Sequence, residues 1–393
     1  MSEGEGSGGS GGGGGNSSDP GRGVRGGSAV AVRARATAEA FWKRELVPLE
    51  DVRRLDVLFP VWSSPVGEDE EVVLPPDEVS APFGCLTSLG LQQLRDRGRR
   101  LRQRYSIDDV TGTQMEVFST NYRRTQLSAQ GFLDGFRDGE GGVPVVVRPR
   151  SEDFLNQWES QGTDMYKLMM SVESEPSFRE MDEAVGGPLK RRLHALDPAL
   201  FPLPLGERFR WMMAADYFMS ARARGLSIPP ELDSLGAATI RHLTWRFGRF
   251  YRDERMMRIM VGPLLAYILE CAAESDIDGD GETGTRSTVS VEGGGSLSRV
   301  VSSSCHDVTI LALLYAMEAH LLDDEDYWPP YGSTIAFAVA RSRQALRPGQ
   351  GEQGLVLSIT VDEEPLRSRL FEGAGGAVPL SDFRAAMKHF LPR

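Results

Sequence analysis

The stretch Arg299-Val300-Val301-Ser302-Ser303-Ser304-Cys305-His306-Asp307-Val308-Thr309-Ile310 decides the fold. Its first half is β-branched and Ser-rich, the composition of a strand. Its second half runs into Leu311, Leu313, Leu314, Ala316 and Met317, an apolar helix. His306 and Asp307 therefore stand where a strand ends and a helix begins. Ligand sites of α/β sheets form at that place, and anions bind there. On composition alone, Asp307 would also serve as a helix N-cap.

Working outward, strands and helices alternate. Val57 to Phe59 reads as a short buried strand, and acidic, Pro-containing residues 68–77 read as a loop. Thr87 caps a helix running to about Tyr105, with Leu91, Leu94 and Leu101 facing inward. The arginines between Arg95 and Arg104 read as a solvated face. Met115 to Ser119 is a second strand, leading into a helix that ends near Phe136. Val143 to Val147 is a third, continuously apolar as in a sheet covered on both faces. Strand character returns at Ile335 to Val339 and at Leu355 to Val361.

This alternation predicts an α/β fold: a mixed, mainly parallel sheet flanked by helices. Residues 40–150 and 296–393 form the core. Residues 151–274 have helical periodicity and form an inserted cap. Residues 275–295 are an acidic Gly/Ser loop, and residues 1–39 a disordered Gly/Ser/Arg-rich tail. Asp276, Asp278, Asp280 and Gly281 begin like a calcium loop. However, the twelfth position is Ser287, which cannot supply the bidentate carboxylate. No cofactor is expected. Arg241-His242 reads as a surface or packing pair.

The net charge of -12 excludes the basic face that nucleic-acid binding needs. The three cysteines, Cys85, Cys271 and Cys305, lie far apart and suit an intracellular, reducing location. A cytoplasmic location is expected over an organelle, although Arg22, Arg25, Arg33 and Arg35 also suit a transit peptide. No apolar stretch is read as long enough for a transmembrane segment. The sequence names no protein partner.

Several blocks occur in the order of one family. Gly84, Leu86, Thr87, Gly90 and Gln93, then Gly98 to Tyr105, form the first. Ser119-Thr120-Asn121 with Arg124, Thr125, Ser128 and Ala129 form the second. His306-Asp307-x-Thr309 follows, then Trp328-Pro329-Pro330-Tyr331, then Val378-Pro379-Leu380 with Phe383. Together they resemble the histidine acid phosphatases, branch 2 of the histidine phosphatase superfamily. The Ser-Thr-Asn and Trp-Pro-Pro-Tyr blocks are closest to its lysophosphatidic-acid-phosphatase-like members. The resemblance implies a phosphoglycerate-mutase-like fold and hydrolysis of a phosphate monoester through a phosphohistidine. Asp307 would be the proton donor, with His306 and Arg124 contacting phosphate.

Other positions depart from the family pattern. Aligned on the proline of the family's Arg-His-Gly-x-Arg-x-Pro motif, Phe59 and Ser63 replace arginines and Pro60 replaces the nucleophilic histidine. Phe118 replaces the arginine before Ser-Thr. No Arg-His-Gly occurs anywhere in the chain. The expectation is a pseudophosphatase in which Phe59 and Phe118 pack together at adjacent strand ends. An active phosphatase on a lipid-like ester, using His306 and Asp307, and a non-enzymatic interaction protein remain as alternatives.

Overall fold

The computed structural model describes residues 39–63, 84–105, 114–198, 201, 203, 209–274, 299–341 and 354–392. The predicted tail, the loops at 68–77 and 275–295 and the calcium-like run lie outside the described residues, apart from Glu39.

Helix α1 (Leu49–Leu58) leads into strand β1 (Val61–Ser63). Helix α2 (Ser88–Arg104), strand β2 (Gln114–Ser119), helix α3 (Arg123–Phe136) and strand β3 (Val145–Val147) follow. A helical segment comes next, with α4 (Gly162–Ser174), α5 (Gly187–Leu196), α6 (Trp211–Ala223), α7 (Pro230–Phe250) and α8 (Glu254–Glu274) its longest members. Strand β4 (Arg299–Ser304) then enters α9 (Asp307–Ala316). The chain closes with β5 (Ile335–Arg341), β6 (Leu355–Val361), β7 (Glu364–Pro365), β8 (Ala377–Pro379) and α10 (Leu380–Met387).

The predicted α/β class holds, with a parallel sheet flanked by helices. Its order is β1-β3-β2-β4. A second, antiparallel sheet pairs β5, β7 and β8 with β6. Among the described strands, β4 pairs only with β2 and β5 only with β6.

One strand reading is corrected. Val57 to Phe59 is not a strand; Val57 and Leu58 end α1. Three adjacent apolar residues suggest a strand, but the wider spacing Val52, Leu55, Phe59 is helical. Leu55 and Phe59 are fully buried, whereas Val57 is 81% exposed. The Thr87 cap is as read: its side chain accepts from Gly90 N at 3.1 Å.

The arginine run is also corrected in part. Arg95 binds Asp134 and Asp51, while Arg97 binds Asp362 and Glu363 and Arg100 binds Glu363. Arg95 and Arg97 thus join α2 to other elements, whereas Arg99, Arg100 and Arg104 stay exposed as read. Gly98 and Gly135 bring α2 and α3 into backbone contact, because a Cβ on Gly135 would lie 1.9 Å from Arg95 O.

Two hydrophobic clusters divide the interior. One holds Leu55, Phe59, Val117, Leu133 and Val145 between α1, α2, α3 and the parallel sheet. The other runs from the helical segment through α9 to the antiparallel sheet and α10. Helix α8 corrects the reading that no apolar stretch is long enough to span a membrane. It passes by length and composition, yet it buries Met256, Met257, Met260, Val261, Leu264, Leu265 and Leu269 in the second cluster. It is a core helix of this fold.

Candidate active site

The parallel register sets the level of the site. Ser119 aligns with Val147 on one side and Ser304 on the other. The residues just beyond, Arg148, Thr120 and Cys305, therefore share the carboxyl edge of the sheet. His306 follows directly, with extended backbone, and Asp307 begins α9.

His306 Nε2 lies 3.1 Å from Thr120 Oγ1, which in turn meets Thr125 Oγ1 at 2.8 Å. The imidazole packs edge-on against Tyr122, with centroids 4.9 Å apart. Burial pushes its pKa down to about 3, and Arg124 adds to the shift. The ring is therefore neutral at physiological pH.

Asp307 is held at both oxygens. Oδ1 accepts from Val308 N at 2.8 Å and Oδ2 from the Trp328 indole N–H at 2.7 Å. The reading of Asp307 as the helix N-cap is corrected: the cap position is His306, without a side-chain cap bond, and Asp307 is the first helical residue, its Oδ1 bonding the next N–H. Burial raises the Asp307 pKa despite both hydrogen bonds. A raised carboxyl pKa moves the group in the direction a general acid needs.

Arg124, at the start of α3, lies over the Tyr122 ring at 4.2 Å. Its charge acts on His306, Asp307 and Asp216 alike. Of the residues singled out from sequence, the structure thus brings together His306, Asp307 and Arg124.

Sequence reasoning missed Asp216. It sits on α6, inside the apolar run Trp211 to Met219. Burial raises its carboxyl to about 7, with repulsion from Asp307 adding and Arg124 opposing. Ser220, one turn further on, meets the Tyr331 hydroxyl at 3.1 Å. A lone carboxylate within an apolar helical run is costly to bury unless it has a role, and that signal could have found it.

Phe59, Pro60 and Ser63 lie away from this recess, whereas Phe118 stands near the end of its strand as read, paired with Ser303 of β4. Strand β1 lies on the far edge of the sheet, with β3 and β2 between it and β4. Three strand spacings put Ser63 about 14 Å from the end of β4. Phe59 is fully buried in the first cluster, its carbonyl accepting from Gln130 Nε2 at 2.8 Å. Pro60 O accepts from Val145 N. Phe118 belongs to the other cluster, edge-on to Phe154 at 5.9 Å and Tyr267 at 5.7 Å. The expected Phe59–Phe118 packing is therefore not found, because β3 and the sheet itself keep the two side chains in different cores.

The remaining histidines lie away from this recess. His194 meets Phe201 O, His320 pairs with Asp323 on the surface and His389 stacks on Phe390. His242 is buried between Trp211 and Trp245, 2.9 Å from Asp182, while Arg241 pairs with Asp326 at the surface. Among the described residues no group of three or more His, Cys, Asp or Glu could hold a metal ion.

A family model for the histidine phosphatase superfamily (branch 2) matches residues 60–189. No curated protein matches the chain in sequence. The fold is similar to that of the Citrobacter braakii phytase, with 14% identity, 84% of this chain and 92% of that chain covered, and a TM-score of 0.52. It is similar also to Hafnia alvei phytase in complex with tartrate, with 13% identity, 84% and 91% covered, and a TM-score of 0.55. Klebsiella sp ASR1 phytase gives 13% identity, 87% and 92% covered, and a TM-score of 0.50. The chain thus has a histidine acid phosphatase-like fold.

Proposed function

We propose that this chain, whose residues 60–189 match the branch 2 model and whose fold is similar to the phytases, is a histidine acid phosphatase-like protein that acts as a pseudophosphatase. It holds a phosphate monoester or similar small oxyanion between Arg124, His306 and Asp307 and does not form a phosphohistidine. The covalent route needs two histidines at the strand ends, one to attack phosphorus and one to help hold the phosphoryl oxygens. The carrying observation is the distribution of the five histidines, of which only His306 stands at the carboxyl edge of the sheet. His306 itself is turned onto Thr120 and Tyr122.

One observation favours a second reading, direct hydrolysis of a lipid-like phosphate ester. Asp307 has a raised pKa and could protonate the leaving oxygen while water attacks phosphorus. The ester P–O bond would break as the leaving oxygen gains that proton, with no enzyme bond formed. The lysophosphatidic-acid-like blocks point to such a substrate. The three cysteines suit a cytoplasmic setting for either reading.

An aryl phosphate assay of the full chain at pH 5 and 7.5 separates the two, together with a phosphohistidine trap using radiolabelled substrate. The pseudophosphatase reading expects hydrolysis at the rate of the buffer blank and no label on the protein. Turnover that disappears in Asp307→Ala would overturn it in favour of direct hydrolysis.

A further inference from the structure

We propose that Arg148 is an oxyanion-binding residue of this site: from the end of β3 its guanidinium donates hydrogen bonds to an oxyanion held at the His306 turn. This rests on the reading of the recess as an oxyanion site and adds a cation that the sequence did not single out.

The strand register places the residue. Val146 pairs with Phe118 and Val147 with Ser119 across β3 and β2. Arg148 therefore stands level with Thr120, about 5 Å away as adjacent strands are spaced. Thr120 Oγ1 is the group that meets His306 Nε2 at 3.1 Å. A second route reaches the same turn. The Arg148 guanidinium lies 4.5 Å from the Phe154 ring centroid, and the next residue, Leu155, accepts from Thr309 Oγ1 at 2.9 Å in the first turn of α9. The two routes bracket the passage from β4 into α9.

The Arg148 side chain is half-buried on three rings, 5.0 Å from the Phe118 centroid and 5.7 Å from that of Tyr267 besides its contact with Phe154. Among the described residues it makes no hydrogen bond and no ion pair. Asp153, on which its charge acts, accepts instead from Leu155 N at 2.8 Å. Nearby arginines differ: Arg123 pairs with Asp56, and Arg150 donates to Glu159 O at 3.0 Å. Rings engage the face of a guanidinium, whereas its N–H groups point outward in its plane. The platform thus fixes the cation and leaves its donors for a ligand. Leaving such donors unmet in a half-buried place is costly. The oxygens of a tetrahedral oxyanion match the guanidinium fork and would meet them.

Sulfate is the probe, titrated into the full chain by calorimetry at neutral pH. Arg148→Met keeps an apolar stem on the rings and removes the donors. It is expected to weaken sulfate binding by at least about tenfold, the effect of one lost charged hydrogen bond. Arg148→Lys keeps the charge without the fork and should fall between Arg148→Met and the wild type. It also decides the matter should Arg148→Met misfold. Arg150→Met removes the same net charge at an exposed position two residues along and should bind as the wild type does. The inference is overturned by a wild type that binds no sulfate, by undiminished affinity in whichever Arg148 variants fold, or by an equal loss in Arg150→Met. Binding lost in Arg148→Met yet kept in Arg124→Ala would sustain Arg148 and overturn the role given to Arg124. Turnover of the aryl phosphate would overturn the pseudophosphatase reading while leaving the Arg148 result to stand or fall separately.

Discussion

At the scale of single residues, Phe118 shows how a substitution is absorbed. The Arg148 guanidinium, from the end of the neighbouring strand, lies 5.0 Å from its ring centroid and 4.5 Å from that of Phe154. With Tyr267 these rings form an aromatic cluster with a cation already seated on it. Phe118→Arg would remove the ring and bring a second guanidinium against the first. We expect it to lower stability by about 3–5 kcal/mol, the usual cost of losing a buried Phe, without creating phosphatase activity. Urea unfolding of variant and wild type measures the first, and the aryl phosphate assay the second. An unchanged urea midpoint would mean that the arginine escapes to solvent. Asp216 is the opposite case, a partly buried carboxyl kept within an apolar helical run.

At the scale of elements, α2 and α3 depend on the absence of side chains at their crossing. Gly98 faces Phe132 O and Gly135 faces Arg95 O, with built Cβ distances of 2.2 and 1.9 Å. Backbone atoms cannot yield as a flexible side-chain end can. Gly135→Ala should therefore push the helices apart and cost about 3 kcal/mol, at the upper end for overpacking. A thermal melt checks this, and an unchanged melting temperature would show that the pair can separate freely. The same elements mark what the sequence could and could not reveal. The start of α2 was legible because Thr87 and Gly90 lie within one turn, and the His306–Asp307 site because its two groups are adjacent. Helix α1 was misread because Val57, Leu58 and Phe59 mimic a strand locally. Part of the arginine face was misread because its partners, Asp362 and Glu363, lie more than two hundred residues away. Asp216 was missed for the same reason: Asp307, Arg124 and Tyr331 reach it only through the folded chain.

At the scale of the molecule, the two sheets share no ladder among the described strands, so other contacts must align them. Helix α9 follows β4 and packs into the cluster that reaches the antiparallel sheet. Its first turn is tied to the helical segment by Thr309 Oγ1 to Leu155 O and by Tyr251 Oη to Val308 O, both at 2.9 Å. The least exposed polar link is Arg97, with Arg100 beside it on Glu363. It reaches from α2 to Asp362 at 3.0 Å and Glu363 at 2.8 Å, in the turn between β6 and β7. Asp362 also accepts from Ser333 Oγ and Thr334 N, at the start of β5. Both turn residues adopt positive φ, 50° and 75°, which aims their carboxylates at the helix with some backbone strain. The Arg97 side chain is only 15% exposed, so salt screens the pair less than a surface bridge. We expect Arg97→Ala to cost about 2–3 kcal/mol, as for a charged hydrogen bond left incomplete. In a double-mutant cycle with Asp362→Ala, the coupling should be about 1–2 kcal/mol, well above the roughly 0.5 kcal/mol scatter of independent sites. Hydrogen exchange in Arg97→Ala should rise in β5 and β6 before it rises in β2. Simple additivity in the cycle, with uniform exchange, would show that the apolar cluster alone aligns the sheets.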